Sequence, residues 1–193
     1  MAMNKLDKKR RAQVVAALVE GASVNSVVRM TGVSKPTILK LLADLGTACA
    51  KYQDEKLRNL PCKRVQADEI WSFCFAKDKN LSEELKGKFG FGSVWTWTAI
   101  CADTKLMVSW LVGERSVPYA MKFMEDLASR LASRVQLTTD GHKPYLRAVD
   151  GAFGSDIDYA MLEKIYAVPP QEGVTTRYSP AQCCGTKTYK IMG

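Results

Sequence analysis

Val65-Gln66-Ala67-Asp68-Glu69-Ile70-Trp71-Ser72-Phe73 and Val135-Gln136-Leu137-Thr138-Thr139-Asp140-Gly141 decide how this chain is read. Both are short runs rich in the β-branched, aromatic and apolar residues that suit strands. Each carries an aspartate in the run or just after it, where an ionised carboxylate is costly to hold without a cation or hydrogen-bond donors. Asp68 and Asp140 are therefore candidate metal ligands. The plainer alternatives are a strand-edge Asp68 paired with a nearby Arg or Lys, and an Asp140 that caps a helix in Asp140-Gly141-His142.

Around these runs the pattern gives an order of elements. Lys63 to Ala76 reads as a strand, and Lys77 to Gly92 as a charged loop or extended hairpin. Val94 to Cys101 and Leu106 to Val112 follow as strands joined by the turn Ala102-Asp103-Thr104-Lys105. Ser116 caps a helix over 117–134 with Ala120, Phe123, Met124, Leu127 and Leu131 on one face. Val135 to Thr139 is a fourth strand, Pro144 to Val149 a helix and Tyr159 to Val168 a last strand. Strand, strand, strand, helix, strand, helix, strand suits a mixed sheet with packed helices, and a crossover through the 117–134 helix lays the fourth strand parallel to and near the first. That step brings Asp68 and Asp140, 72 residues apart in sequence, to one site at the strand ends. Two carboxylates with Mg²⁺ or Mn²⁺ there fit phosphoryl transfer. Strand alternation puts Glu69 on the face of Trp71 and Phe73, so only one of Asp68 and Glu69 is expected to point at the site. His142, the single histidine, and Lys143 lie close enough to Asp140 to touch phosphate or a metal-bound water. Trp71, Trp95, Trp97 and Trp110 read as core. Residues 169–193 show no period and read as coil.

The net charge of +8 sits in the first third: residues 1–66 carry 13 Lys and Arg against 5 Asp and Glu, and the remainder is balanced. A localised excess of this kind asks for a polyanion, and nucleic acid fits better than a membrane surface because the helices there lack Trp and Phe anchors. Asp7 to Gly21 reads as a helix with Ala12, Val15, Ala16 and Val19 on its apolar face. A second helix runs from Ser23 to Met30, a turn follows at Thr31-Gly32-Val33, and Ser34 caps a third helix. In the third, Ile38, Leu41, Leu42 and Leu45 form the apolar stripe, which leaves Lys35, Thr37 and Lys40 outward. This is a helix-turn-helix pattern, with Ser34, Lys35, Thr37, Lys40, Arg10 and Arg11 as candidate DNA-binding residues. A plain three-helix bundle would share the pattern without the function. Asp44 to Asn59 continues as a charged helical connector. The domains expected are thus 1–60, helix-turn-helix with connector, and 61–168, the mixed sheet, followed by coil over 169–193.

The longest uncharged stretch, Phe89 to Ala102, is too short and too rich in Gly and Thr to span a bilayer. The apolar run Val14 to Val19 is too short for a signal-peptide core. The expectation is a cytoplasmic, nucleoid-associated protein. Six cysteines without a C-x-x-C pair read as reduced thiols rather than a zinc site.

With these blocks in order, the chain resembles the DDE transposases of bacterial insertion sequences, in particular those with Asp-Glu-Ile-Trp-Ser-Phe at 68–73 and Thr-Thr-Asp-Gly-His-Lys-Pro-Tyr at 138–145. Similarity runs through residues 20–185 and includes Val94 to Ile100, Ser109 to Gly113 and Thr176-Arg177-Tyr178-Ser179-Pro180. The resemblance implies an α+β (α/β) chain with a ribonuclease-H-like second domain. It implies catalysis of DNA cleavage and strand transfer at element ends by two-metal chemistry, and matches Asp68 and Asp140 to the first two acidic residues of the triad. Its implied partners are double-stranded DNA, as terminal repeats and target, and a second copy in a synaptic homodimer. The third acid of the family is a Glu on a helix downstream of the Tyr-Ser-Pro block, and the sequence stops at Gly193 before one. Glu163 and Glu172 lack its motif context, so the resemblance implies an incomplete chain that keeps DNA binding and loses catalysis. The rival from another class is a helix-turn-helix regulator whose second domain is not catalytic.

Overall fold

Two compact units, Met1–Leu57 and Arg58–Gly193, make up the computed structural model, which describes residues 6–166 and 183–193. In the first unit α1 (Lys8–Val19), α2 (Val24–Thr31) and α3 (Lys35–Lys56) surround a small core of Val14, Val27, Val33 and Ile38. Asp7 Oδ1 accepts from Arg10 N at 2.8 Å and Ser23 Oγ from Ser26 N at 3.1 Å at the starts of α1 and α2, whereas Ser34, expected to cap α3, makes no such backbone bond and meets Thr37 Oγ1 at 2.8 Å. Gly32 ends α2 in the left-handed region at φ 66°, which a side chain adopts only at a cost.

Two expectations about this unit need correction. The buried face of α1 is Val14 with Ala17 and Leu18, not Ala12, Val15, Ala16 and Val19, and Val19 is 79% exposed. The run Val14-Val15-Ala16-Ala17-Leu18-Val19 is apolar on every side, so spacing alone does not choose a face; packing against α2 and α3 does. On α3, Ile38 is buried and Leu41 packs on the core, whereas Leu42 is exposed. At 22 residues α3 is nearly twice the length of α1, so most of it extends past the small core, and the expected connector is the same continuous helix.

The second unit is a six-stranded mixed sheet with two helices. Its strands are β1 (Arg64–Cys74), β2 (Gly92–Cys101), β3 (Met107–Gly113), β4 (Gln136–Thr139), β5 (Asp158–Tyr166) and β6 (Cys183–Met192), in the order β3-β2-β1-β4-β5-β6. The first three form an antiparallel meander. After α4 (Val117–Arg130), β4 runs parallel to β1, and after α5 (Pro144–Phe153), β5 runs parallel to β4. This is the mixed sheet with packed helices that the succession of strand and helix patterns leads one to expect. Phe123, Met124 and Leu127 of α4 and Tyr145, Ala148 and Val149 of α5 bury against Val65, Ala67, Trp97, Ala99, Leu137 and Tyr159 of the strands. Alternation places those strand residues on one face. The opposite face exposes Ile70, Trp110 and Val112.

Residues 183–192, expected as coil, form β6 antiparallel to β5. Thr186, Thr188, Tyr189 and Ile191 have strand propensity, which the Pro- and Gly-containing stretch before them masks in the sequence. Glu172 and the Thr176 to Pro180 block lie outside the described residues. The helix expected over 117–134 stops at Arg130, because Leu131 instead bridges Leu60 in parallel β fashion. No helix among the described residues is long and apolar enough to cross a membrane.

One charged cluster holds α4 to the meander. The Arg130 guanidinium, 8% exposed, donates to both oxygens of Asp126 at 2.7 and 2.8 Å, and Ser109 of β3 donates to the same carboxylate. Burial raises the Asp126 carboxyl, but the bonds from Arg130 and Ser109 outweigh it, and the group titrates below its ordinary value. Because the folded pKa is depressed, the stabilisation is present above the unfolded carboxylate pKa of about 3.9 and is lost as pH falls through the folded value. Asp126→Asn should therefore lower the unfolding free energy by roughly 1–3 kcal/mol at pH 7. Its deficit relative to wild type should shrink toward pH 3, as read by urea denaturation at both pH values.

Candidate metal centre

The register of β1 and β4 builds this site. Ala67 pairs with Thr139, so Asp68 and Asp140 are the next residue on each of two adjacent parallel strands. β4 ends at Thr139, while β1 continues to Cys74. Asp140 turns the chain at that end: its Oδ1 accepts from His142 N at 2.9 Å, and Thr139 Oγ1 donates to its carbonyl at 2.8 Å. The Tyr159 hydroxyl meets Thr139 Oγ1 at 3.0 Å and anchors the turn to β5. On the β2 side, Thr98 Oγ1 donates to the Asp68 carbonyl at 3.1 Å. Asp68 Oδ1 accepts from Glu69 N at 2.8 Å.

Asp68, Glu69 and Asp140 each bring an oxygen within 4.8 Å of the others. Glu69 thus joins the cluster, against the expectation that only one of Asp68 and Glu69 can face it. Alternation along β1 does hold. The missing consideration is that β4 stops at Thr139, so beyond that point no strand separates the two faces of the sheet beside β1, and carboxylates from both faces converge on the gap. Glu69 is almost fully buried, with a side chain 1% exposed. Its Oε2 accepts from Arg115 Nε at 3.0 Å, and Arg115 Nη2 reaches Asp140 Oδ2 at 3.4 Å. The same guanidinium lies 4.9 Å from the centroid of Trp95, a cation–π contact that orients it. Burial, helped by the Asp140 charge, raises the Glu69 carboxyl above its ordinary range despite the opposing pull of Tyr145 and Arg115. Glu69 Oε1 and the Tyr145 hydroxyl are both buried without a hydrogen bond of normal geometry, although they are near enough to influence one another's titration.

The donor set is entirely carboxylate oxygen, which suits Mg²⁺ or Mn²⁺ and not zinc or a soft metal. Lys143, Lys164, Arg115 and Glu163 border the surrounding cleft. Glu163, on β5, packs so closely that a Cβ at Gly141 would stand 3.0 Å from its Cγ. His142 belongs to an aromatic group, with its ring 5.8 Å from Trp97 and 5.9 Å from Tyr145. Burial and the Arg115 charge lower its pKa, so the imidazole is neutral at pH 7. Of the tryptophans expected in the core, Trp97 is fully buried and Trp95 lies under Arg115, but Trp71 and Trp110 are exposed. Arg115 is the site residue that the sequence reading misses. It follows β3 in Gly113-Glu114-Arg115-Ser116, a connection with no periodicity to mark it.

The candidate DNA-binding residues lie in the first unit. Lys35 and Arg11 are exposed, and Ser34 and Thr37 share a hydroxyl–hydroxyl contact of 2.8 Å. Lys40 pairs with Asp44 at 3.2 Å on an open surface. Arg10, also exposed, donates to the Thr31 carbonyl at 3.0 Å and ties α1 to the end of α2. All six cysteines are free thiols.

No family model matches the sequence, and no curated protein does. Solved structures similar to it include a Mos1 strand transfer complex, at 15% identity and TM-score 0.35, covering 82% of this chain and 60% of that one. A pre-cleavage Mos1 transpososome is 13% identical at TM-score 0.33, covering 82% and 61%. A piggyBac transposase synaptic complex with hairpin DNA is 12% identical at TM-score 0.37, covering 87% and 34%. The chain spans about 60% of the length of the Mos1 chains it matches.

Removing the guanidinium takes away the cation that faces the buried Glu69 carboxylate and raises the free energy of its charged form. Arg115→Gln should destabilise the metal-free protein by roughly 2–3 kcal/mol at pH 7. The penalty falls on the charged carboxylate, and because its folded pKa lies above the unfolded value of about 4.3, the loss should fade as pH falls through the folded value and be small at pH 4. Equal losses in urea melts at pH 7 and pH 4 would mean that Arg115 acts by packing alone.

Proposed function

We propose that this chain is a DNA transposase of the bacterial insertion-sequence DDE type, in which the first unit binds double-stranded DNA through a helix-turn-helix and the second carries a Mg²⁺ site of the kind that serves phosphoryl transfer. The observation behind this reading is the convergence of Asp68 and Asp140 at the ends of adjacent parallel strands, in a cluster made only of carboxylate ligands. The ordered sequence blocks around both aspartates give that cluster its reaction class. Asp68 and Asp140 would hold Mg²⁺ or Mn²⁺, which when bound supplies Lewis-acid activation of a water or a DNA 3′-hydroxyl and stabilisation of the leaving oxygen. The orphaned Oε1 of Glu69 fits such a cation. Lys143 and Lys164 border the cleft and offset phosphate charge that the acidic cluster would otherwise repel. Lys35, Thr37 and Lys40, at the start of α3, lie on the part of a recognition helix that meets the major groove. The partners are the terminal repeats and target DNA of the element, and joining two ends calls for a homodimer.

Two measurements separate this from a helix-turn-helix regulator. Asp68→Asn and Asp140→Asn should each abolish Mn²⁺ binding while duplex binding is retained. Mn²⁺ binding that is absent in wild type, or unchanged in both variants, favours the regulator. Lys35→Ala should lower the slope of log affinity against log salt by about 0.9, the value of one lost phosphate contact. An unchanged slope would remove α3 as the DNA-facing helix.

A further inference from the structure

Glu69 has one oxygen in use and one to spare. Arg115 Nε fixes Oε2 at 3.0 Å, whereas Oε1 is buried without a hydrogen bond in a side chain 1% exposed. Such an atom costs free energy unless something completes it. With all three carboxylates ionised against one guanidinium, two negative charges would remain in the cluster for one divalent cation to neutralise. Asp68 Oδ1 accepts from Glu69 N and Asp140 Oδ1 from His142 N, which orients their other oxygens, that of Asp140 toward Arg115 Nη2 at 3.4 Å.

We infer that Glu69, through Oε1, is the third protein ligand of the divalent cation held by Asp68 and Asp140, with Arg115 as the positioning residue that fixes its other oxygen. This rests on the metal-binding reading above and deepens it. The three ligands come from β1 and the end of β4 alone, so a carboxylate set of three assembles within residues 68–140. The Trp95 ring beneath Arg115 sets the angle of the guanidinium and thereby that of the Glu69 carboxylate. The rival explanation is that Oε1 serves only the neighbouring Tyr145 hydroxyl.

Mn²⁺ titration of the full chain, with free Mn²⁺ read by electron paramagnetic resonance, tests this without any activity assay. Wild type should bind one Mn²⁺ per chain, and Asp68→Asn and Asp140→Asn should abolish binding. Glu69→Gln should weaken binding at least tenfold. Glu69→Asp, which keeps the charge but shortens the reach, should weaken it comparably and serves as the probe if the Gln variant melts early in EDTA. Wild-type affinity in Glu69→Gln, with binding lost in the two Asp variants, would overturn the Glu69 assignment and leave the metal reading intact. Weak binding in Glu69→Gln beside wild-type affinity in Glu69→Asp would also overturn it, since charge alone would then suffice. No Mn²⁺ binding by wild type would remove both.

Discussion

Four residue pairs of parallel β1 and β4, Arg64 to Ala67 against Gln136 to Thr139, are the constraint on which the second unit turns. Everything the site needs follows from that short ladder. It fixes which residues emerge side by side where β4 gives out, and it obliges α4 to cross over the sheet before β4 begins. A slip of one residue would exchange the buried Leu137 and Thr139 for Gln136 and Thr138 on the core face. The core itself therefore enforces the register that sets Asp68 beside Asp140.

The meander, the α4 crossover and the aspartate pair are legible in the sequence because each rests on a strong local signal: alternation, helical spacing, or an acid in an apolar run. What escapes notice depends on where elements end. Alternation along β1 correctly assigns Glu69 to the opposite face from Asp68, yet it contains nothing about β4 stopping at Thr139 and opening a gap between faces. Arg115 is similarly hidden, since its partners Glu69 and Asp140 lie 46 and 25 residues away along the chain. The α1 face fails for a different reason. A helix apolar on all sides has no preferred face until neighbours choose one, and α2 and α3 choose Val14.

The first unit shows the limit of burial in a small helical body. Four buried residues form its core, so caps and tertiary hydrogen bonds carry a larger share of its order. Arg10 illustrates this, since its guanidinium closes the gap between α1 and the Thr31 carbonyl. Basic charge in this unit is thus divided between holding the helices together and facing outward, and Lys35 and Arg11 remain on the outward side.

The sheet has two unequal margins. β6 closes one side with Lys187 and Lys190 in its length, and ammonium groups there discourage the docking of a foreign strand. β3 forms the other margin with Met-Val-Ser-Trp-Leu-Val-Gly, which has no charged side chain and displays Trp110 and Val112. Trp110 and Val112, on the face opposite the helices, leave indole and isopropyl surface exposed there, and apolar surface of this kind favours self-association. A lysine in place of Val112 would put charge into that surface and oppose it.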